Sequence, residues 1–139
     1  MLPERVVFDT NVIISYALSY KLGEFIKIKA HHGIEIYSCP ELITELGSSL
    51  GYPKFEKQLT KEKAANIILF FKAVATELKI HLSYDRLIDP DDNYLVDLAY
   101  ASKSNMIITG DRNVLSQKHV GRIQIISPAQ FRKLLKENS

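Results

Sequence analysis

The chain has 139 residues, 46% of them hydrophobic and 24% charged, with a formal net charge of +2 that permits nucleic-acid binding without arguing for it. That size suits one domain, read here as residues 1–139, with a core of its own, and the composition is ordinary for a soluble globular protein. No segment approaches the ~18 consecutive apolar residues of a membrane span, "MLPERVVFD" lacks the pattern of a signal peptide, and the one cysteine, Cys39, fits a reducing cytoplasm.

In chain order, "RVVFD" (5–9) is a short β-rich run leading into a helix that starts near Asn11. His31 and His32 precede Gly33 at a helix end, and "IEIYS" (34–38) is the second strand. "CPELITEL" starts a helix with Pro40 at its first position. From Thr60 to about Leu78, apolar residues at 64, 67, 68, 71, 74, 75 and 78 form a helical stripe. "LKIHL" (78–82) is the third expected strand, and Asp89 and Pro90 open another helix. "MIITG" (106–110) and "IQIIS" (123–127) complete five strands, and "SPAQFRKLLK" is the last helix. Strands alternating with helices imply an α/β fold: a five-stranded parallel sheet covered on both faces, with ligands beyond the carboxyl ends of the strands.

Asp9 and Asp111 both follow predicted strands. Asp92 shares a helical face with Leu95, Val96 and Ala99, which aims it at the upper edge of the sheet. Glu45 borders the apolar face of Leu42, Ile43, Leu46 and Leu50, whereas Glu41 suits the helix dipole. Each acid also has a plain structural role open to it: a cap for Asp9, a helix N-terminus for Asp92, a turn for Asp111, a solvated surface for Glu45. If the four converge, their repulsion calls for a hard cation, and oxygen-only ligands favour Mg²⁺ or Mn²⁺ over zinc. Such an ion activates water and stabilises a phosphodiester undergoing displacement.

"FDTNVIIS", "SCPELITELGSSLGYPKF" (38–55) and "DPDDNYLVDLAYASKSNMIITGDRNVL" (89–115), in this order, resemble the three blocks of PIN domains, metal-dependent ribonucleases. The last two resemble a subfamily of toxins from toxin–antitoxin pairs. The resemblance implies a three-layer PIN-like fold, single-stranded RNA as substrate, homodimers, and an antitoxin protein that blocks the site. It places the acidic set at Asp9, Glu45, Asp92 and Asp111, with Asn11 as polar helper and Thr109 beside the fourth acid. Asp97 stands where the subfamily is often acidic, and Asn113 stands where relatives often carry another aspartate.

Arg112, beside Asp111, is the cation best placed to meet RNA; Lys54, Lys57 and Arg86 are further candidates. The tyrosines and phenylalanines read as core, and the run from Ile67 to Phe71 is the candidate dimer face. A haloacid-dehalogenase-like phosphatase wants a second acid where Asn11 stands, and a receiver domain wants paired acids and a late lysine. The remaining alternative is a PIN fold without activity that binds RNA or protein.

Overall fold

The computed structural model describes residues 2–138. The elements follow in the order β1 (Arg5–Phe8), α1 (Thr10–Leu18), α2 (Gly23–Ala30), β2 (Glu35–Ser38), α3 (Pro40–Leu50), α4 (Lys61–Val74) and β3 (Thr76–Glu77). After these come α5 (Asn93–Ser102), β4 (Met106–Ile108), α6 (Arg112–Leu115), β5 (His119–Val120), β6 (Ile123–Ile126) and α7 (Pro128–Glu137). Short 3₁₀ turns cover Pro53–Phe55 and Pro90–Asp92. Four helical segments carry proline in the first turn, where the missing N–H costs nothing: α3, α7 and both 3₁₀ turns. Among the described residues no helix is long and apolar enough to cross a membrane.

The sheet order is β3-β2-β1-β4-β6-β5, with every neighbouring pair parallel except β5–β6. Connections from β1 to β2 and on to β3 step one way across the sheet, and the connection from β3 to β4 steps back. With right-handed crossovers, that reversal sets α1 to α4 on one face and α5 on the other. It also makes the carboxyl ends of β1 and β4 the switch point of the sheet, where the two crossovers part and leave a crevice.

β1 and β4 are buried throughout apart from Arg5, as strands covered on both faces must be. Phe8 meets Phe25 of α2 at 5.0 Å and Phe131 of α7 at 5.7 Å, both edge-on, and Phe25 meets Phe71 of α4 at 5.8 Å. Each such ring pair adds about 0.5–1.5 kcal/mol beyond area burial. Together they lock the strand that ends in Asp9 against three helices.

Two expectations need correcting. The third parallel strand is Thr76–Glu77 and not residues 78–82. β2 ends at Ser38 because Pro40 begins α3, so after Leu78 N–H donates to the Ser38 carbonyl (2.8 Å) no partner backbone remains. The helix read as Thr60 to Leu78 accordingly stops at Val74, with Ala75 already extended. A sixth, two-residue strand, β5, runs antiparallel on the β6 edge. The apolar run of α4 turns inward at Ile67 and Phe71, both buried, leaving Leu69 alone of the five largely exposed (64%). Packing within the chain therefore accounts for most of that stripe.

Candidate active site

Asp9 stands at the switch point. Its N–H continues the ladder by donating to the Ile108 carbonyl (2.9 Å), and its own carbonyl accepts from the Val12 N–H (3.0 Å). The backbone thus starts α1, and the carboxyl makes no capping bond. That carboxyl is 4% exposed. Its Oδ2 accepts from the Thr109 hydroxyl at 2.7 Å and from the Asn11 amide at 3.2 Å. The hydroxyl of Thr109 in turn accepts from the Asp111 N–H (3.0 Å), and Asn11 Oδ1 accepts from the Gly110 N–H (3.0 Å). A Cβ on Gly110 would lie 3.4 Å from that Asn11 oxygen, so glycine leaves room for the close approach. Two side chains therefore stitch the end of β1 to the loop after β4. Burial pushes the Asp9 carboxyl above its usual range; the Thr109 hydrogen bond pulls it down, and Asp111 and Glu45 push it up again.

The other three acids arrive from separate elements. Glu45 projects from α3, its Oε1 accepting from the Ser49 hydroxyl at 3.4 Å. Asp111 caps α6 through Oδ1, which accepts from the Asn113 N–H at 2.8 Å. The turn role open to it in the sequence is thus realised, yet its charge still reaches Asp9 and Asp92. Asp92 sits at the joint between the 3₁₀ turn and α5, because Asp89 caps that turn (Asp91 N–H to Oδ1, 2.9 Å) and the α-helix starts only at Asn93. Its side chain makes no capping bond. Burial first, then Asp9, Asp89, Asp111 and Glu45, push its carboxyl up to about 7. Among the described residues none of the four has a lysine or arginine in ion-pair contact; the pairs Lys27–Glu24 and Lys133–Glu137 lie elsewhere, on exposed helix faces.

The four carboxylates therefore share one field but do not close into a ligand cluster: among the described residues no group of three or more Asp, Glu, His or Cys is arranged to hold a metal ion as it stands. In chemistry the donors fit a hard cation, being oxygen only, uncompensated by any basic group, and costly to leave charged together.

Asp97 belongs elsewhere. It is 7% exposed and accepts from the Ser83 N–H (3.1 Å), the Ser83 hydroxyl (3.0 Å) and the Tyr84 N–H (3.1 Å). These bonds pin that loop to α5. Asn113 lends its backbone to Asp111, and Arg112 is exposed at the start of α6.

Tyr94 went unnoticed in the sequence, where an aromatic on an apolar stripe reads as core. Its ring is buried, but its hydroxyl has no hydrogen-bond partner among the described residues. Burial pushes the pKa of its hydroxyl above the usual range, and Asp9, Cys39, Glu45 and Asp92 push it further, so it stays a neutral donor beside the acids. Its position two residues after Asp92 was the one available signal. Cys39, buried beside Glu41 with its thiol pushed up to about 12, is inert.

A family model described as PIN domain matches residues 5–113, which include all four acids. The chain belongs to the PIN-domain family. PIN domains are in general nucleases. An uncharacterized protein of Methanocaldococcus jannaschii, MJ1680, is 31% identical over 115 residues, covering 81% of this chain and 74% of that protein. Among solved structures, a chain of VapBC2 from Rickettsia felis, crystallised with a DNA fragment from their promoter, is similar at a TM-score of 0.59. It is 15% identical and is matched over 88% of this chain and 98% of that one. PAE2754 from Pyrobaculum aerophilum gives 0.56 at 17% identity, over 96% and 88%. At such identities these two show the PIN fold, which agrees with the α/β class expected from the strand–helix alternation.

Proposed function

We propose that this PIN domain, read as one unit over residues 1–139, is a Mg²⁺- or Mn²⁺-dependent ribonuclease that hydrolyses phosphodiester bonds in single-stranded RNA. The observation that carries the reading is that four carboxylates from four elements press on one another at the sheet's switch point, with Asp9 and Asp92 both held above their usual range. Asp9, Glu45, Asp92 and Asp111 would hold the cation. When bound, such an ion supplies charge stabilisation at the phosphate and a more acidic water. The protein's part is orientation. Thr109 and Asn11 hold one oxygen of Asp9, and Ser49 holds one of Glu45. Arg112 is positioned to meet the strand beside Asp111.

The likeness to a chain of a VapBC2 structure supports reading the protein as the toxin of a toxin–antitoxin pair, with an antitoxin protein as partner. A cytoplasmic setting and a homodimer go with that reading. The absence of a ready-made ligand cluster among the described residues favours the alternative, a PIN fold that binds RNA or protein without cutting it. Calorimetric titration with Mn²⁺ separates them, with Asp9→Asn and Asp92→Asn in parallel and cleavage of single-stranded RNA as the second readout. Binding lost in both variants, together with metal-dependent cleavage by the wild type, is the expected result. If metal fails to bind and RNA stays intact with both present, the nuclease reading is wrong.

A further inference from the structure

Two grooves lie near α3, one lined by Glu45 and one by Ser49, and they differ in charge. The larger, about 750 Å³, is lined by Glu41, Glu45, Asp85, Asp91 and Asp97 and by no lysine, arginine or histidine. A polyanion is repelled there. The other, about 480 Å³, falls within the ~300–1,000 Å³ of small-ligand sites and lies between α1, the end of α3 and the loop after it. Its lining contains Thr10, Asn11, Ser49, Tyr52, Lys54 and Phe55, with no acid in it. Two of its lining side chains reach the acids: Asn11 donates to Asp9 and Ser49 donates to Glu45.

Its outer wall has the chemistry of a nucleotide seat. Tyr52 is 45% exposed, and the Lys54 ammonium lies 5.0 Å from the centre of the Phe55 ring and 6.0 Å from that of Tyr52. An exposed aromatic stacks any base, and an adjacent lysine neutralises a phosphate. The three side chains are kept together by the 3₁₀ turn Pro53–Phe55, so little ordering remains to be done on binding.

We propose that this groove is a subsite for single-stranded RNA, seating the nucleotide next to the phosphate at the acids, with its base on Tyr52 and its phosphate at Lys54. The inference rests on the ribonuclease reading and adds to it the route of the strand: away from the five-acid groove and out along α1 and the 52–55 turn.

The test uses the Asp9→Asn protein, so that RNA stays whole, and anisotropy of a fluorescein-labelled 12-nucleotide single-stranded RNA of mixed sequence. Tyr52→Ala is expected to weaken binding about 5- to 100-fold, the range of one lost stacking contact, while Tyr52→Phe keeps it. Lys54→Ala is expected to lower the slope of log affinity against log salt by about 0.7. Tyr100→Ala, which removes an exposed aromatic outside the groove, should change nothing. Melting curves matching the parent exclude misfolding. Unchanged affinity and slope in the Tyr52→Ala and Lys54→Ala proteins would overturn the subsite, and leave the groove to a protein partner. Failure of the parent to bind the strand overturns it too; RNA cleavage by the wild type then tells whether the reading beneath it survives.

Discussion

Asp9 and Asp97 are both buried aspartates, 4% and 7% exposed, and they are held in opposite ways. Asp97 takes two backbone N–H groups and a hydroxyl from one loop, so its charge is spent on fixing Ser83 and Tyr84. Asp9 takes the Thr109 hydroxyl and the Asn11 amide on one oxygen, with a further hydrogen bond from the Thr10 backbone, and it faces Asp111 and Glu45 with no cation in contact. Burial alone therefore does not tell these two aspartates apart. Their surroundings separate them: one loop bonds both oxygens of Asp97, whereas Asp9 is held mainly by side chains from two elements and is pressed by two other acids.

Substitutions at the two positions should break the comparison cleanly, if it is wrong. Asp9→Asn is expected to lower RNA cleavage on the order of 10³-fold or more while the protein still folds, measured by turnover beside a thermal melt. Asp97→Ala should do the reverse. Losing hydrogen bonds from two part-buried N–H groups and a hydroxyl costs about 1–3 kcal/mol, read from denaturant unfolding, with cleavage per folded molecule kept within a few-fold. A destabilised, active Asp9→Asn protein would refute the distinction.

A smaller effect is expected at Thr109→Val, which keeps the shape and removes the hydroxyl shared by Asp9 and the Asp111 N–H. Losing that bridge should cost about 1–2 kcal/mol and reduce cleavage more than the stability loss explains. Equal cleavage by wild type and variant would mean that Thr109 only packs.

The contrast extends to pH. Folding raises the Asp92 carboxyl from 3.8 to about 7, so between those values the folded state binds the extra proton. Stability without metal should then fall as pH rises from about 4 to 7 and stay low above it, by about 1–2 kcal/mol once the solvent still reaching Asp92 is allowed for. Melts at pH 5 and pH 8 should show this slope in the wild type, less of it in Asp92→Asn, and less again with Mn²⁺ added. An identical slope in the variant assigns it to other groups. The smallest effect belongs to Tyr94→Phe. With no partner lost, its melting temperature should match or slightly exceed the wild type, and a fall in cleavage alone would mark the hydroxyl as a substrate donor.

How far the sequence reaches is clear from the same residues. Asp9 and Asp111 are legible because each ends a short apolar run, and strand ends meet at one edge of a parallel sheet. Glu45 and Asp92 are legible from helical spacing, although Asp92 lies on a 3₁₀ joint that a 3.6-residue period does not describe. The bonds of Asp97 were illegible because its partners, Ser83 and Tyr84, follow a segment whose alternation promises a strand. That strand fails only because β2 ends at Pro40, a fact about a different element. Tyr94 was missed because a hydroxyl at the end of a buried ring leaves no trace in a hydrophobic pattern. Non-local geometry decides each of these cases.

The stitches that aim Asp9 have a consequence in time. Thr109 and Gly110 bond to partners 100 and 99 positions earlier in the chain, so neither bond exists until β4 has docked beside β1. A growing chain carries Asp9, Asn11 and Glu45 through most of its synthesis without the contacts that orient the first acid. Because such distant pairings form late, the first acid is aimed only once β4 lies beside β1, near the end of the assembly of the sheet.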